Sequence, residues 1–272
     1  MIAISKPMDL QAIRQAIRAH YLVQLGGYIS GLTDMLDVRL AYNSNFENIW
    51  YNSAYDIQTT PSAANELIDR VEAYMARHKR TPSIYVSPTT TPTNFDALLT
   101  ARGYHKVETE SWLFRTNFEA PAPPLPDNIT IRAVKSESEF AAFADIYRAS
   151  YPSADVEAKI EACKRTLWAT PPLVNLNYLV AYYDHEPVAM LTTVALGEYI
   201  GLYSGGTRKA FRSKGVMRVL TAHAESIAVQ HGAKHLFLQC VTGSSAERAY
   251  KKLGYEIRFT RDCYIPSIYS GC

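Results

Sequence analysis

Residues 199–232 read YIGLYSGGTRKAFRSKGVMRVLTAHAESIAVQHG, and the organisation of the chain can be worked out from this stretch. Its opening, Tyr199 to about Gly206, is rich in β-formers and closes on Ser204-Gly205-Gly206-Thr207. A loop carrying Arg208, Lys209, Arg212 and Lys214 follows. Val216, Leu220 and Ile227 then recur at helical spacing and Gly232 supplies a C-cap, so a helix is expected over Gly215–Gln230. The first amides of a helix lack intrahelical partners and sit at the positive end of its dipole, a geometry that binds phosphate oxygens. Gly215 lets the main chain approach an anion, and Arg212 with Lys214 adds charge. The same residues also fit a solvated loop. The spacing is neither GxxxxGK[ST] nor GxGxxG, which sets aside a Walker loop and a dinucleotide fingerprint. Gly205-Gly206 inside a strand reads either as a bulge or as a place of close backbone approach.

Upstream, Ile129–Val134 is a short strand, and Ser136 with Glu139 forms a capping box ahead of a helix bearing Phe140, Phe143 and Tyr147. A second helix is expected over Ser153–Trp168, then strands over Asn177–Tyr183 and Pro187–Leu196. Downstream come strand Leu236–Cys240, a helix from about Ser244 to Leu253 and strand Tyr255–Tyr264. The order is βααβββαβαβ.

The preceding part repeats the end of that order. Asp37–Tyr42 and Asn48–Tyr55 resemble a hairpin, followed by helix Ser62–His78, strand Ser83–Val86, helix Asn94–Arg102 and strand Lys106–Arg115. LLTARGYHKVETESWLF (98–114) and AYKKLGYEIRFTRDCYI (249–265) align helix for helix, each breaking at Gly-Tyr before a strand. This is either a duplicated unit or a common helix–strand junction used twice. Residues 119–128, EAPAPPLPDN, hold four prolines and read as a stiff connector. The division expected is therefore 1–118, linker 119–128, and 129–272.

The 272 residues carry 28 basic and 26 acidic side chains, a formal charge of +2, with no long like-charge run to mark a nucleic-acid or anionic-lipid surface. A hydrophobic fraction of 47% is enough for a real core. No apolar stretch reaches the about 20 residues of a membrane span, and Lys6-Pro7 interrupts the opening residues too early for a signal peptide. Cys163, Cys240, Cys263 and Cys272 show no metal or disulfide spacing. A cytoplasmic globular protein without a metal is expected. The 19 tyrosines suit half-buried clefts where a ring packs while its hydroxyl finds a partner.

Arg212-Ser213-Lys214-Gly215-Val216-Met217 resembles the [QR]-x-x-G-x-[GA] loop of the GNAT superfamily of acetyltransferases. Ala246-x-x-x-Tyr250-x-x-x-Gly254-Tyr255 is similar to that family's A-x-x-[LF]-Y-x-x-x-G-[FY] run, with Ala249 in the [LF] place. The resemblance covers about residues 129–265 in the family's element order. Met217 departs from the usual Gly or Ala, and Gly243 stands where the family often has Asn.

The resemblance implies an α/β fold with a mixed sheet: a tandem GNAT-like arrangement whose second unit is complete and whose first is degenerate. It implies acetyl-CoA as co-substrate and direct attack by an amine of a small molecule or peptide. Arg212, Ser213, Lys214, Gly215, Val216 and Met217 then hold the pyrophosphate. Gly205 and Thr207 offer backbone groups to the pantetheine arm, added as a pseudo-strand. Tyr250 becomes the general acid, Glu198 the base, and Tyr147 with Tyr151 the lining of the acceptor groove. Without the family, Tyr250 reads as a core anchor, Glu198 as a solvated turn residue, and the two helix tyrosines as packing. His185, His223 and Cys240 read as polar-tip, half-buried and core residues. Segment 56–61, DIQTTP, has no basic residue and no glycine, so the first unit is not expected to bind CoA. The expected partners are an amine acceptor and neither nucleic acid nor membrane, for a monomer that forms an internal pseudo-dimer. Two alternatives are a catalytically silent CoA-binding module and a tRNA-dependent aminoacyltransferase.

Overall fold

The computed structural model describes residues 8–25, 27–45, 47–118, 125–168 and 175–267. The chain divides into two compact units, residues 1–113 with 239–272, and residues 114–238.

The first unit opens with helix α1, Leu10–Leu22, capped by the Asp9 carboxylate on the Ala12 amide and burying Ile13, Ala16, Ile17, His20 and Tyr21 on one face. This helix lies outside the elements expected from the sequence. It then contains β1 (Gly31–Asp34), β2 (Arg39–Tyr42), a 3₁₀ turn over Ile49–Tyr51, β3 (Ser53–Tyr55), α2 (Ala64–Arg77), β4 (Ser83–Val86), α3 (Phe95–Ala101) and β5 (Tyr104–Arg115). Leu67, Ile68, Val71 and Met75 of α2 recur at helical spacing and pack with Leu40, Ala54, Ile84, Phe95 and Leu99. The same unit takes helix α7 (Ser245–Lys252) and strand β11 (Glu256–Pro266) from the end of the chain. Its strand order is β1-β2-β3-β4-β11-β5.

The second unit contains β6 (Ile129–Ala133), α4 (Glu137–Ser150), α5 (Val156–Leu167), β7 (Asn175–Tyr183), β8 (Glu186–Leu196), β9 (Tyr199–Thr207), α6 (Val216–Gln230) and the first part of β10 (His235–Val241). Its strands run β10-β9-β8-β7-β6, antiparallel except for the parallel β9–β10 pair. Ser136 accepts from the Glu139 amide at 3.3 Å, and the Glu139 carboxylate returns to the Lys135 amide at 2.7 Å, starting α4 where the capping box places it.

In both halves a strand, a helix and a parallel strand follow one another: β3–α2–β4 and β9–α6–β10. The packing division differs from the one expected along the sequence. Linker residues 119–124 lie outside the described residues, and 239–272 packs with 1–113. The reason is the pairing of β11 with β4, in the register Cys263↔Tyr85. Arg261 adds a long-range anchor. Its guanidinium is 2% exposed, donates to Glu110 at 2.6 Å and to the Tyr21 hydroxyl at 3.1 Å, and lies 3.8 Å from the Tyr85 ring centroid.

Candidate active site

The β9–β10 ladder begins His235↔Tyr199 and ends at Phe237↔Gly201, whereas β9 continues to Thr207. Beyond Gly201, β9 is laddered on its β8 side, with a register shift between Met190 and Thr192. Ser204 takes φ +51 at this irregularity, a conformation that bends the strand and turns its backbone groups out of line. The bulge falls at Ser204-Gly205, while Gly206 stays in register with Met190.

Helix α4 ends against this bulge. The Tyr151 hydroxyl donates to the Gly205 carbonyl at 2.6 Å, and desolvation pushes its ionisation up to about 12, so it remains a donor at neutral pH. Tyr147, buried, stacks obliquely 5.1 Å from Tyr151. A Cβ on Gly206 would stand 2.7 Å from the Ser150 Cβ and closer still to its hydroxyl. Gly206 is therefore required by close approach. The structure brings Gly205, Tyr147 and Tyr151 together, and adds Ser150, which the sequence reading missed. Its only local signal is its place as the last residue of a helix followed by Tyr151-Pro152.

After Thr207 a 3₁₀ turn over Lys209–Phe211 leads to the helix. Arg212 Nε donates to the Thr207 carbonyl at 3.2 Å, and Lys214 Nζ lies 4.6 Å and 4.9 Å from the ring centroids of Phe211 and Tyr183. Ser213 has φ +65 and Gly215 φ +80, with open space where a Gly215 Cβ would stand. Gly215 is thus required by its left-handed backbone. It serves as N-cap of α6 without a side-chain cap, and the first turn holds no acidic residue. Left-handed residues just before uncapped helix amides form a concavity suited to an anion. Val216 is buried, so only its amide is available to a ligand, and the Met217 carbonyl accepts from Thr221 Oγ1 at 2.8 Å. The carbonyls of Gly205 and Thr207 each accept an internal donor, but a carbonyl has two lone pairs and can take a second.

Residues 140–255 match the acetyltransferase (GNAT) family. The chain carries a GNAT-family domain.

The fold agrees with this over most of the length. A GCN5-related N-acetyltransferase from Kribbella flavida superposes with TM-score 0.71 at 18% identity, covering 96% of each chain. One from Sphaerobacter thermophilus gives 0.66 at 16%, covering 95% of this chain and 86% of the other. A tandem GNAT protein from the clavulanic acid biosynthesis pathway gives 0.63 at 11%, covering 86% and 79%. A search of curated proteins returned no match.

Glu198 is not brought to the bulge of the GNAT domain. It occupies the turn before β9, and at about 3.3 Å per residue the strand carries Gly205 about 20 Å away. Its side chain is 54% exposed and pairs with Lys234 at 2.5 Å, and that ammonium holds its carboxyl below the usual range. A lowered carboxyl is a weaker base, so the turn reading fits this residue better than the base reading.

Tyr250 is carried by α7 in the first unit. Ser244 caps α7 by accepting from the Glu247 amide at 3.2 Å, and Glu247 accepts from Gly243 N at 2.9 Å and Ser111 Oγ at 2.8 Å. Gly243 has φ +75, a conformation that Gly adopts without strain and that Asn also tolerates. Tyr250 is half-buried, with its ring edge-on to Tyr255 at 5.5 Å, and the small neighbours Ala246 and Ala249 are exposed.

The segment matching the CoA loop in the first half, residues 56–61, carries one acid and no basic residue. Asp56 takes φ +51 and pairs with Arg39 at 3.0 Å and Arg14 at 3.4 Å, while Glu66 stands in the first turn of α2. Among the described residues no His/Cys/Asp/Glu group could hold a metal, and no helix is long and apolar enough to cross a membrane.

Proposed function

We propose that this chain is an acetyl-CoA-dependent N-acetyltransferase with one donor site, in the GNAT domain. The observation that carries the reading is the uncapped start of α6, preceded by Ser213 and Gly215 in left-handed conformations and flanked by Arg212 and Lys214. Those residues, with the amides of Val216 and Met217, hold the pyrophosphate. The edge of β9 beyond Gly201, with Gly205 and Thr207, receives the amide-bearing pantetheine arm. Acetyl-CoA supplies the activated acyl group when bound. Tyr147 and Tyr151 line the acceptor side, Tyr151 through its fixed hydroxyl at Gly205.

Tyr250 takes the role of hydrogen-bond donor to the departing sulfur. Full proton transfer from a phenol near 10 to a thiolate near 8.5 is uphill by about 2 kcal/mol. Stabilisation of the thiolate by the hydroxyl is therefore the larger effect. The acceptor is an amine of a small molecule or peptide. The first half is a duplicated unit, 1–118 against 129–272, that has lost its phosphate loop.

The reading is tested by calorimetry with CoA and by thiol release from acetyl-CoA across amines, amino acids, polyamines and aminoglycosides. One site per chain and amine-dependent thiol release are expected. Two equivalent sites, or thiol release that no amine accelerates, would refute it.

A further inference from the structure

The first unit contains a carboxylate that the proposed reaction does not use. Glu108 lies on β5, half-buried, and its Oε1 accepts a hydrogen bond from the Trp50 indole N–H at 2.6 Å. Trp50 is 40% exposed, high for the largest apolar side chain. The 3₁₀ turn carrying it is fixed by polar side chains. Asn48 Oδ1 accepts from the Trp50 amide at 3.0 Å, Asn52 Nδ2 donates to the Asn48 carbonyl at 2.9 Å, and Ser83 Oγ donates to the Ile49 carbonyl at 2.6 Å.

The neighbouring acid is differently placed. Glu110, two residues on, is paired with Arg261 at 2.6 Å and also accepts from Tyr85 and Trp112, each at 3.3 Å. The buried guanidinium is thus committed to Glu110. Among the described residues Glu108 forms no salt bridge; it has one indole donor, the repulsion of Glu110 and a weaker attraction from Arg261. A partly desolvated carboxylate without an ion-pair contact, beside an exposed and rigidly held indole, matches an alkylammonium. The ammonium meets the carboxylate in a charge-assisted hydrogen bond while the alkyl chain lies along the ring.

We propose that Glu108 and Trp50 form a binding subsite for a primary alkylammonium group. The subsite stands on its own geometry in the first unit, independently of the transferase reading. The charged and titratable groups around Glu108 are Glu110 on its own strand and Arg261 and Cys263 on β11, the last held as a neutral thiol by burial. Desolvation and Glu110 push Glu108 up to about 7. A bound cation favours the ionised carboxylate, so ammonium affinity rises between pH 6 and 8.

The test follows the three indole ¹⁵N–¹H resonances of the full chain, with Trp50 assigned by Trp50→Phe, during titration with n-butylammonium chloride and, separately, n-butanol. A saturable shift of the Trp50 resonance with n-butylammonium, stronger at pH 8 than at pH 6, and no comparable shift with n-butanol are expected. Glu108→Gln should weaken n-butylammonium binding by about 10–100-fold, the range for a lost hydrogen bond to a charged group. Equal titration by amine and alcohol, or an affinity that does not rise with pH, overturns the proposal without any variant. An unchanged affinity in Glu108→Gln also overturns it. The amine screen on the same samples separates the two readings. Thiol release without the Trp50 shift removes the subsite and leaves the transferase, and the shift without thiol release does the reverse.

Discussion

Gly206→Ala tests whether the end of α4 is seated on the β9 bulge as tightly as the structure has it. The new Cβ would lie 2.7 Å from Ser150 Cβ and closer to Ser150 Oγ, with Met190 Cε at 3.3 Å. An ordinary carbon–carbon approach is about 3.5–4.0 Å, so the end of the helix must retreat by about 1 Å. Met190 can rotate away, but Ser150 is fixed by its helix. Such overpacking costs about 1–3 kcal/mol, or about 4–8 °C of melting temperature for a 2 kcal/mol loss in a chain of this size. Ser150→Gly removes the obstructing atoms. The Ser150 hydroxyl is buried without a hydrogen-bond partner, so its deletion should cost under about 1 kcal/mol. The double variant should then recover most of the loss, giving a coupling of about 1–2 kcal/mol in a double-mutant cycle. Denaturant melts of the four proteins measure it. A Gly206→Ala loss below about 0.5 kcal/mol, or no coupling with Ser150→Gly, would refute this packing and with it the account of Gly206.

Tyr250→Phe keeps the ring against Tyr255 and should leave CoA affinity unchanged while kcat falls by about 10²–10⁴-fold; a lowered melting temperature with intact kcat would show a core anchor instead. Arg212→Ala should weaken CoA binding measured calorimetrically by about 5–30-fold, and more at low salt, whereas Lys79→Ala, in the loop after α2, should not. Glu110→Gln leaves Arg261 buried without its counter-charge and should cost about 3–5 kcal/mol in a urea melt. Glu108 moves from an ordinary 4.5 up to about 7 on folding, so ionising it opposes folding. The penalty is absent below 4.5, grows between 4.5 and 7, and is complete above 7. It reaches about 3 kcal/mol at most, and about 1–2 kcal/mol after solvent screening. Glu108→Gln should therefore raise the melting temperature at pH 8 and leave it nearly unchanged at pH 4.5. Equal gains at both would exclude this linkage.

The elements of residues 129–265 were legible in the sequence because their signals are local. The Ser136/Glu139 capping box, the spacing of Val216, Leu220 and Ile227, and the glycine ending α6 each act within a few residues. The loop from Arg212 to Met217 was legible for the same reason: strand, basic turn and helix start are contiguous. Helix α1 was legible in principle, since Ile13, Ile17 and Tyr21 are four apart, but it stands outside the repeated order that guided the reading of the first half. The remainder depends on long-range pairing. Strand β11 settles between β4 and β5 because its edges find partners there and Arg261 finds Glu110, a choice between residues 151 apart that no window of sequence contains. The same kind of pairing lowers Ser150 onto Gly206 and sets Trp50 against Glu108, 58 residues away. Periodicity fixes which face of an element is apolar. Which distant polar group meets which is settled by the free energy of burying those faces together and leaving few donors or acceptors without a partner.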